Sequence, residues 1–226
     1  LLKSMDDHNV KSIIFSSTAA TFGQPEMSPI TEDTPQIPTN PYGESKLMFE
    51  KMLKWFDVAH GLKSVTLRYF NAAGADDSGD IGEDHTPETH LLPIIFNVLN
   101  GQRDALSIYG NDYPTPDGTC IRDYIHIKDL GQAHILGLQY VLGEKKSNTF
   151  NLGNGQGFSV KEIITHVEDV TGTPIKTVIG SRRQGDPAML IASSEKIKKE
   201  LGWIPKYNLD EIIIEILNPF QRILII

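Results

Sequence analysis

A single cysteine, Cys120, excludes an internal disulfide framework and fits a reducing compartment. No apolar run is long enough to span a bilayer. The first residues, Leu1-Leu2-Lys3-Ser4-Met5-Asp6-Asp7-His8, carry an acidic pair where a signal peptide would be apolar, and they read as the end of a helix. Basic clusters are absent and the net charge is −8, which argues against nucleic acid and anionic membranes as partners. An anionic small molecule would have to be met by individual arginines. The seven histidines lack metal-ligand spacing and Cys120 has no companion, so no metal site is expected. Ser16, Ser17 and His126 invite a hydrolase reading, but no G-x-S-x-G elbow surrounds either serine. The expectation is a cytoplasmic protein that acts on small molecules.

One further absence matters. A dinucleotide-binding domain opens with a strand, a glycine-rich turn and a helix whose N-terminus holds the pyrophosphate. No such opening stands here. Gly153-Asn154-Gly155-Gln156-Gly157 follows a strand and precedes a helix, but its spacing lacks the last glycine of G-x-G-x-x-G and it comes late in the chain.

What is present is enough for a core, with 39% apolar residues in 226. Ser12 to Ser17 and Ser64 to Tyr69 read as buried strands. Between them Gln24 to Pro41 is a proline-broken loop, followed by a helix that stops near Gly61. Strand, helix, strand is the unit of a parallel sheet. Further on, Thr89 to Asn100, Lys128 to Leu142, Val160 to Thr171, Ser194 to Leu201 and Leu209 to Leu217 read as helices. Ala105 to Tyr109, Cys120 to His126, Thr149 to Leu152 and Ile175 to Ile179 read as strands, and Asn71 to Pro87 as loop.

The chemistry centres on Asn40-Pro41-Tyr42-Gly43-Glu44-Ser45-Lys46. Asn40 suits an N-cap and Pro41 the first helical position. Tyr42 and Lys46, four residues apart, then share one helix face. An ammonium one turn away would pull the phenol from about 10 toward neutrality and make it a usable base.

Neighbouring motifs place this pair in a family. Phe15-Ser16-Ser17-Thr18 through Gly23, the Tyr42 segment, and Leu67-Arg68-Tyr69-Phe70-Asn71 together resemble the extended short-chain dehydrogenase/reductase family. Gly110 to Thr115, Ile121-Arg122-Asp123-Tyr124-Ile125-His126 and Arg182-Arg183-Gln184-Gly185-Asp186 are similar to the UDP-glucose 4-epimerases within it. The resemblance implies an α/β chain with a partial Rossmann-like parallel sheet and a smaller mixed α/β substrate-binding lobe. Residues 1–75 would form the later part of the NAD-binding domain. Residues 76–226 would be mainly the UDP-sugar lobe, with some segments returning to the first domain. It further implies interconversion of UDP-glucose and UDP-galactose, with C4 of the sugar oxidised by NAD+ and then reduced from the other face, in a homodimer.

By the same resemblance Tyr42 is the acid/base, Lys46 holds the nicotinamide ribose and tunes the phenol, and Thr18 bridges the phenol and the sugar. Phe70 lies on the nicotinamide side, with core packing as its alternative, and Asn71 meets the nucleotide sugar. Arg122 and Arg183 take the diphosphate and Asp186 the ribose; a structural pair between Arg122 and Asp123 remains open. Ser107, Ile108 and Tyr109 bracket the uracil. His90 and Leu91 stand where some relatives have Asn-Leu, and Leu190 lines the sugar pocket. Gly153 to Gly157 becomes a structural turn. Ala19 and Ala20 after Thr18 disfavour dehydration, which needs an acidic residue there. The match begins inside the nucleotide-binding domain and covers roughly the last two-thirds of an epimerase. The chain is therefore expected to be truncated and inactive alone. A non-catalytic nucleotide-sugar-binding chain is the alternative, and the apolar end Ile223-Leu224-Ile225-Ile226 is unlike the family's Trp/His-rich helix.

Overall fold

A computed structural model describes residues 1–76, 78, 82, 83 and 85–223, the last six for their backbone alone. The chain opens with α1 (Leu2–Asp7), β1 (Ser12–Thr18) and a 3-10 turn at Ala19–Phe22, then α2 (Pro41–His60), β2 (Lys63–Tyr69) and β3 (Asn71–Ala73). There follow α3 (Leu91–Leu99), β4 (Leu106–Tyr109), β5 (Ile121–His126), α4 (Ile127–Glu144), β6 (Asn148–Leu152) and β7 (Gly157–Ser159). The last elements are α5 (Val160–Thr171), β8 (Thr177–Gly180), β9 (Met189–Leu190), α6 (Glu195–Leu201) and α7 (Leu209–Ile223).

The first sheet is parallel throughout, in the order β1-β2-β6, as the strand-helix-strand pattern requires. Both faces are covered, so its strands alternate between two apolar clusters. Ile13 and Phe15 pack with Leu53 of α2, while Ile14, Val65 and Leu67 pack with Leu130 and Ala133 of α4. Local signals set the limits of α2. The Asn40 side chain accepts the Gly43 N–H at 2.8 Å, Pro41 opens the first turn, and Gly61 closes the helix in the left-handed region at φ 67°.

The second lobe has β5 at its centre. It pairs parallel with β3 and β9 and antiparallel with β7, while β4 and β8 form a separate parallel ribbon. Helices α3, α5 and α7 share one core around Ile95, Phe96, Ile163, Val167, Ile212 and Ile213. The glycine-rich Gly153–Gly157 stretch is a turn built around Asp123. That buried carboxylate accepts backbone N–H groups from Asn154 (2.8 Å), Gly155 (3.0 Å) and Ala192 (3.0 Å). A Cβ at Gly153 would lie 2.4 Å from Asp123 Oδ2, which is why the position holds glycine. Burial pushes the Asp123 carboxyl up to about 6, against the pull of these three donors.

Several expectations need correction. Asn71–Ala73 is a strand, because pairing with β5 fixes three residues that carry no pattern of their own. The rest of the expected loop lies partly outside the described residues. The helix expected from Thr89 begins at Leu91, since His90 has extended backbone (φ −82°, ψ 143°). The strand expected over Ile175 to Ile179 runs over Thr177–Gly180, and α7 extends past Leu217. β7 and β9 are short strands defined by their partners. The apolar residues 224–226 lie outside the described residues.

Candidate active site

The site forms where β1 ends and α2 begins. Gly43 lets the first turn of α2 press against the 3-10 turn, since a Cβ there would stand 2.3 Å from the Ala20 carbonyl oxygen. This brings the Tyr42 phenol to the same end of the cleft as Thr18, near enough for the Thr18 hydroxyl to act on its titration. Thr18 also accepts the Ala20 N–H at 3.2 Å, which holds its side chain at the strand end. Tyr42 is 55% exposed, toward a cleft of ≈ 870 Å³.

The expected tuning of Tyr42 by Lys46 is not what the structure has. Partial burial pushes the phenol above its ordinary value, the Thr18 hydroxyl pulls it back, and Tyr69 adds a smaller upward push. Lys46 instead donates to the Ser16 carbonyl at 3.0 Å, and its ammonium lies 5.2 Å from the Phe15 ring centroid and 5.7 Å from that of Tyr42. It sits behind the tyrosine and does not line the cleft.

The other expected residues reach the cleft from far apart in sequence. Phe70 and Asn71 stand at the end of β2 and the start of β3. Phe70 lines the cleft and also packs with Phe22, Ile30 and Ala192. His90 and Leu91 contribute from the start of α3, Ser107 and Tyr109 from β4, and Leu190 from β9. Ile108 does not. Strand alternation turns its side chain into the core, where it is 4% exposed.

Arg122, Arg183 and Asp186 also line the cleft. Arg122 pairs with Asp186 and donates to its neighbour Ile121's carbonyl, so the guanidinium is clamped on two sides. The ion pair of Arg122 is with Asp186 and not with the neighbouring Asp123, whose carboxylate serves the turn. The Arg183 guanidinium lies over the Tyr109 ring, 4.1 Å from its centroid.

Sequence reasoning missed Cys120 and Tyr124, which also line the cleft. Burial pushes the thiol and the phenol up from their ordinary values. Neither has a sequence signal beyond its place beside Arg122. The histidines were judged too scattered for a metal, yet the fold brings ligand atoms of His85, Glu88 and His90 within 4.8 Å of one another. Their spacing in one short loop was the available signal.

A parallel α/β sheet with a Tyr-x-x-x-Lys helix at the carboxyl ends of its strands, beside a cleft, is the architecture of the short-chain dehydrogenase/reductase class. The comparisons with known proteins agree. The sequence family described as GDP-mannose 4,6 dehydratase matches residues 1–216. The UDP-glucose 4-epimerase of Halalkalibacterium halodurans is 58% identical over 215 residues, which are 95% of this chain and 64% of that protein. A solved UDP-glucose 4-epimerase from Bifidobacterium longum, in complex with NAD+ and UDP, is 43% identical with a TM-score of 0.92, over 98% of this chain and 67% of that one. The one from Stenotrophomonas maltophila, with bound NAD and formylated UDP-arabinopyranose, is 37% identical with a TM-score of 0.94, over 99% and 67%. This chain belongs to the UDP-glucose 4-epimerase family. It spans about 64% of the length of the curated relatives it matches.

Proposed function

We propose that the complete protein interconverts UDP-glucose and UDP-galactose by transient oxidation at C4 of the sugar. The observation that carries this reading is that Thr18 and Tyr42 line the same cleft as Arg122, Arg183 and Asp186. NAD+, when bound, supplies the oxidation at C4 and its reversal. The residues present fit its nicotinamide end, since the Tyr42 phenol and Phe70 line the cleft there and the Lys46 ammonium lies one turn behind the phenol.

Tyr42 takes the proton of the sugar 4-hydroxyl and returns it, with Thr18 donating and accepting at once to bridge the two oxygens. Its phenol needs a nearby positive charge to work near neutral pH, because burial alone moves it the wrong way. Arg122 and Arg183 hold the diphosphate through charge-assisted hydrogen bonds, and Asp186 accepts from the ribose while fixing Arg122. Tyr109 offers the uracil the face that Arg183 leaves free. Ser107, His90, Leu91 and Asn71 complete the nucleotide side. Ala19 and Ala20, directly after Thr18, leave no acid for dehydration, which favours epimerisation over the reaction in the matched family's description.

Residues 1–75 form the later part of the cofactor domain and residues 76–226 mainly the UDP-sugar lobe, with β6 returning to the first sheet. The homodimer buries the outer stripe of α2, where Met48, Met52, Trp55 and Val58 are all exposed. A cytoplasmic location is supported by the lone free Cys120, and no helix among the described residues is long and apolar enough to cross a membrane. The test is to incubate the purified complete protein with UDP-galactose. UDP-glucose should accumulate to an equilibrium mixture with no net consumption of NAD+; absence of UDP-glucose, or a 4-keto-6-deoxy product, would overturn the reading.

A further inference from the structure

Tyr42, Lys46 and Glu50 recur every four residues along α2 and so share one face. Each meets the end of β1. Tyr42 reaches the Thr18 hydroxyl, Lys46 the Ser16 carbonyl, and Glu50 accepts the Ser17 hydroxyl at 2.5 Å. Only the third contact is part of a buried, saturated cluster. The Glu50 carboxylate also accepts from Gln36 Nε2 at 3.1 Å and from Arg68 Nε and Nη2 at 3.1 and 2.7 Å. The Glu50 and Arg68 side chains are 9% and 7% exposed. Arg68 sends Nη1 to the Glu32 carbonyl at 3.4 Å and lies over the Phe22 ring, 5.2 Å from its centroid.

One carboxylate therefore fastens α2 to β1, to β2 and to the proline-broken segment that leads into the helix. A buried ion pair by itself stabilises little, because desolvation offsets the attraction and an apolar pair of similar volume does as well. What the charged cluster adds is direction. Ser17 is the residue before Thr18, and Glu50 lies two turns along α2 from Tyr42. Fixing Ser17 to Glu50 fixes the rise and rotation of α2 against the strand end, and with them the distance between the two reacting hydroxyls.

We propose that Glu50, oriented by Arg68, is a positioning residue that locks α2 against β1 at Ser17 and so sets the Thr18–Tyr42 contact. This rests on the reading of Tyr42 as the acid/base. The test uses the complete protein with Glu50→Leu/Arg68→Met, an apolar replacement of the pair, and Ser17→Ala, which removes the tether without touching the charges. Melting temperature, KM and kcat for UDP-galactose are measured for both.

The double variant should melt close to the parent and keep its KM, while kcat falls roughly 10²-fold, the scale of a misplacement of about 1 Å. Ser17→Ala should show a smaller fall of the same kind, in kcat alone. Parental kcat in either variant, or kcat and melting temperature falling together in both, would overturn the inference. Tyr42→Phe is run beside them. If it is inactive while the double variant is fully active, only the positioning role fails; if it is active, the acid/base reading fails and the positioning role with it.

Discussion

Two parts of one cleft are assembled in different ways. Thr18 ends a strand and Tyr42 and Lys46 open a helix, all within residues 12–60, and their geometry is set by a shared helix face, a cap at Asn40 and a close approach at Gly43. Arg122, Arg183, Asp186, Tyr109 and His90 come from β5, β4, the start of α3 and the segment after β8, and they meet only once the second lobe has closed. In the first region most contacts are made by local backbone and a buried cluster around Glu50. The second depends on side-chain pairs across the lobe, Arg122 with Asp186 and Arg183 with Tyr109. On the proposed reading, chemistry belongs to the locally built part and recognition to the part assembled from distant segments, so changes in the first should reach turnover and changes in the second affinity.

The largest expected effect is in the first region. Tyr42→Phe in the complete protein should lower kcat by about 10²–10⁴-fold, the usual contribution of a general acid/base, with UDP affinity by calorimetry unchanged. A matching loss of UDP affinity would break the division. In the second region, Arg122→Leu should weaken UDP binding by about 1.5–3 kcal/mol, the worth of hydrogen bonds to a charged group. Arg122→Lys should recover only part of this, because a point charge lacks the two-sided clamp.

Gly43→Ala tests how rigid the first region is. The added Cβ meets backbone, so α2 must shift from Ala20 at a cost of about 1–3 kcal/mol in stability, and kcat should fall with KM little changed. In the second lobe Asp123→Asn places an amide NH2 where three N–H donors converge, costing about 1–3 kcal/mol in denaturant unfolding. The pH dependence has a definite sign. The folded carboxyl titrates above the unfolded value of 3.8, so its contribution is full below that value and is lost as pH rises through about 6. Asp123→Asn should flatten that part of the stability curve. Leu190, half-buried between Arg122's strand and the cleft, should have the smallest effect: Leu190→Ala should give a several-fold gain in rate on UDP-N-acetylglucosamine relative to UDP-glucose.

The same contrast explains what could be read from sequence. α2 was legible to within a residue at each end because Asn40, Pro41 and Gly61 are local signals, and the Tyr42–Lys46 spacing needs only helix geometry. The parallel β1-β2 pair followed from the strand-helix-strand order. Strands β3, β7 and β9 were not legible, since each is two or three residues long and exists only through pairing with β5. Site residues given by resemblance reached the cleft with two exceptions. Ile108 is turned inward by strand alternation and Lys46 lies behind Tyr42. The direction of the Tyr42 shift was not legible, because spacing gives the nearness of a charge but not the partial burial that raises the phenol. Glu50 carried no signal of its own, since its meaning lies in Arg68, Ser17 and Gln36, which only the fold brings together.

The most direct test of the account is to give the complete protein UDP-galactose carrying deuterium at C4 and to follow the label by NMR. If C4 is oxidised and reduced within one closed site while Tyr42 handles only the hydroxyl proton, the UDP-glucose formed keeps its deuterium at C4 and none appears in water. Loss of deuterium to solvent during epimerisation would contradict the account.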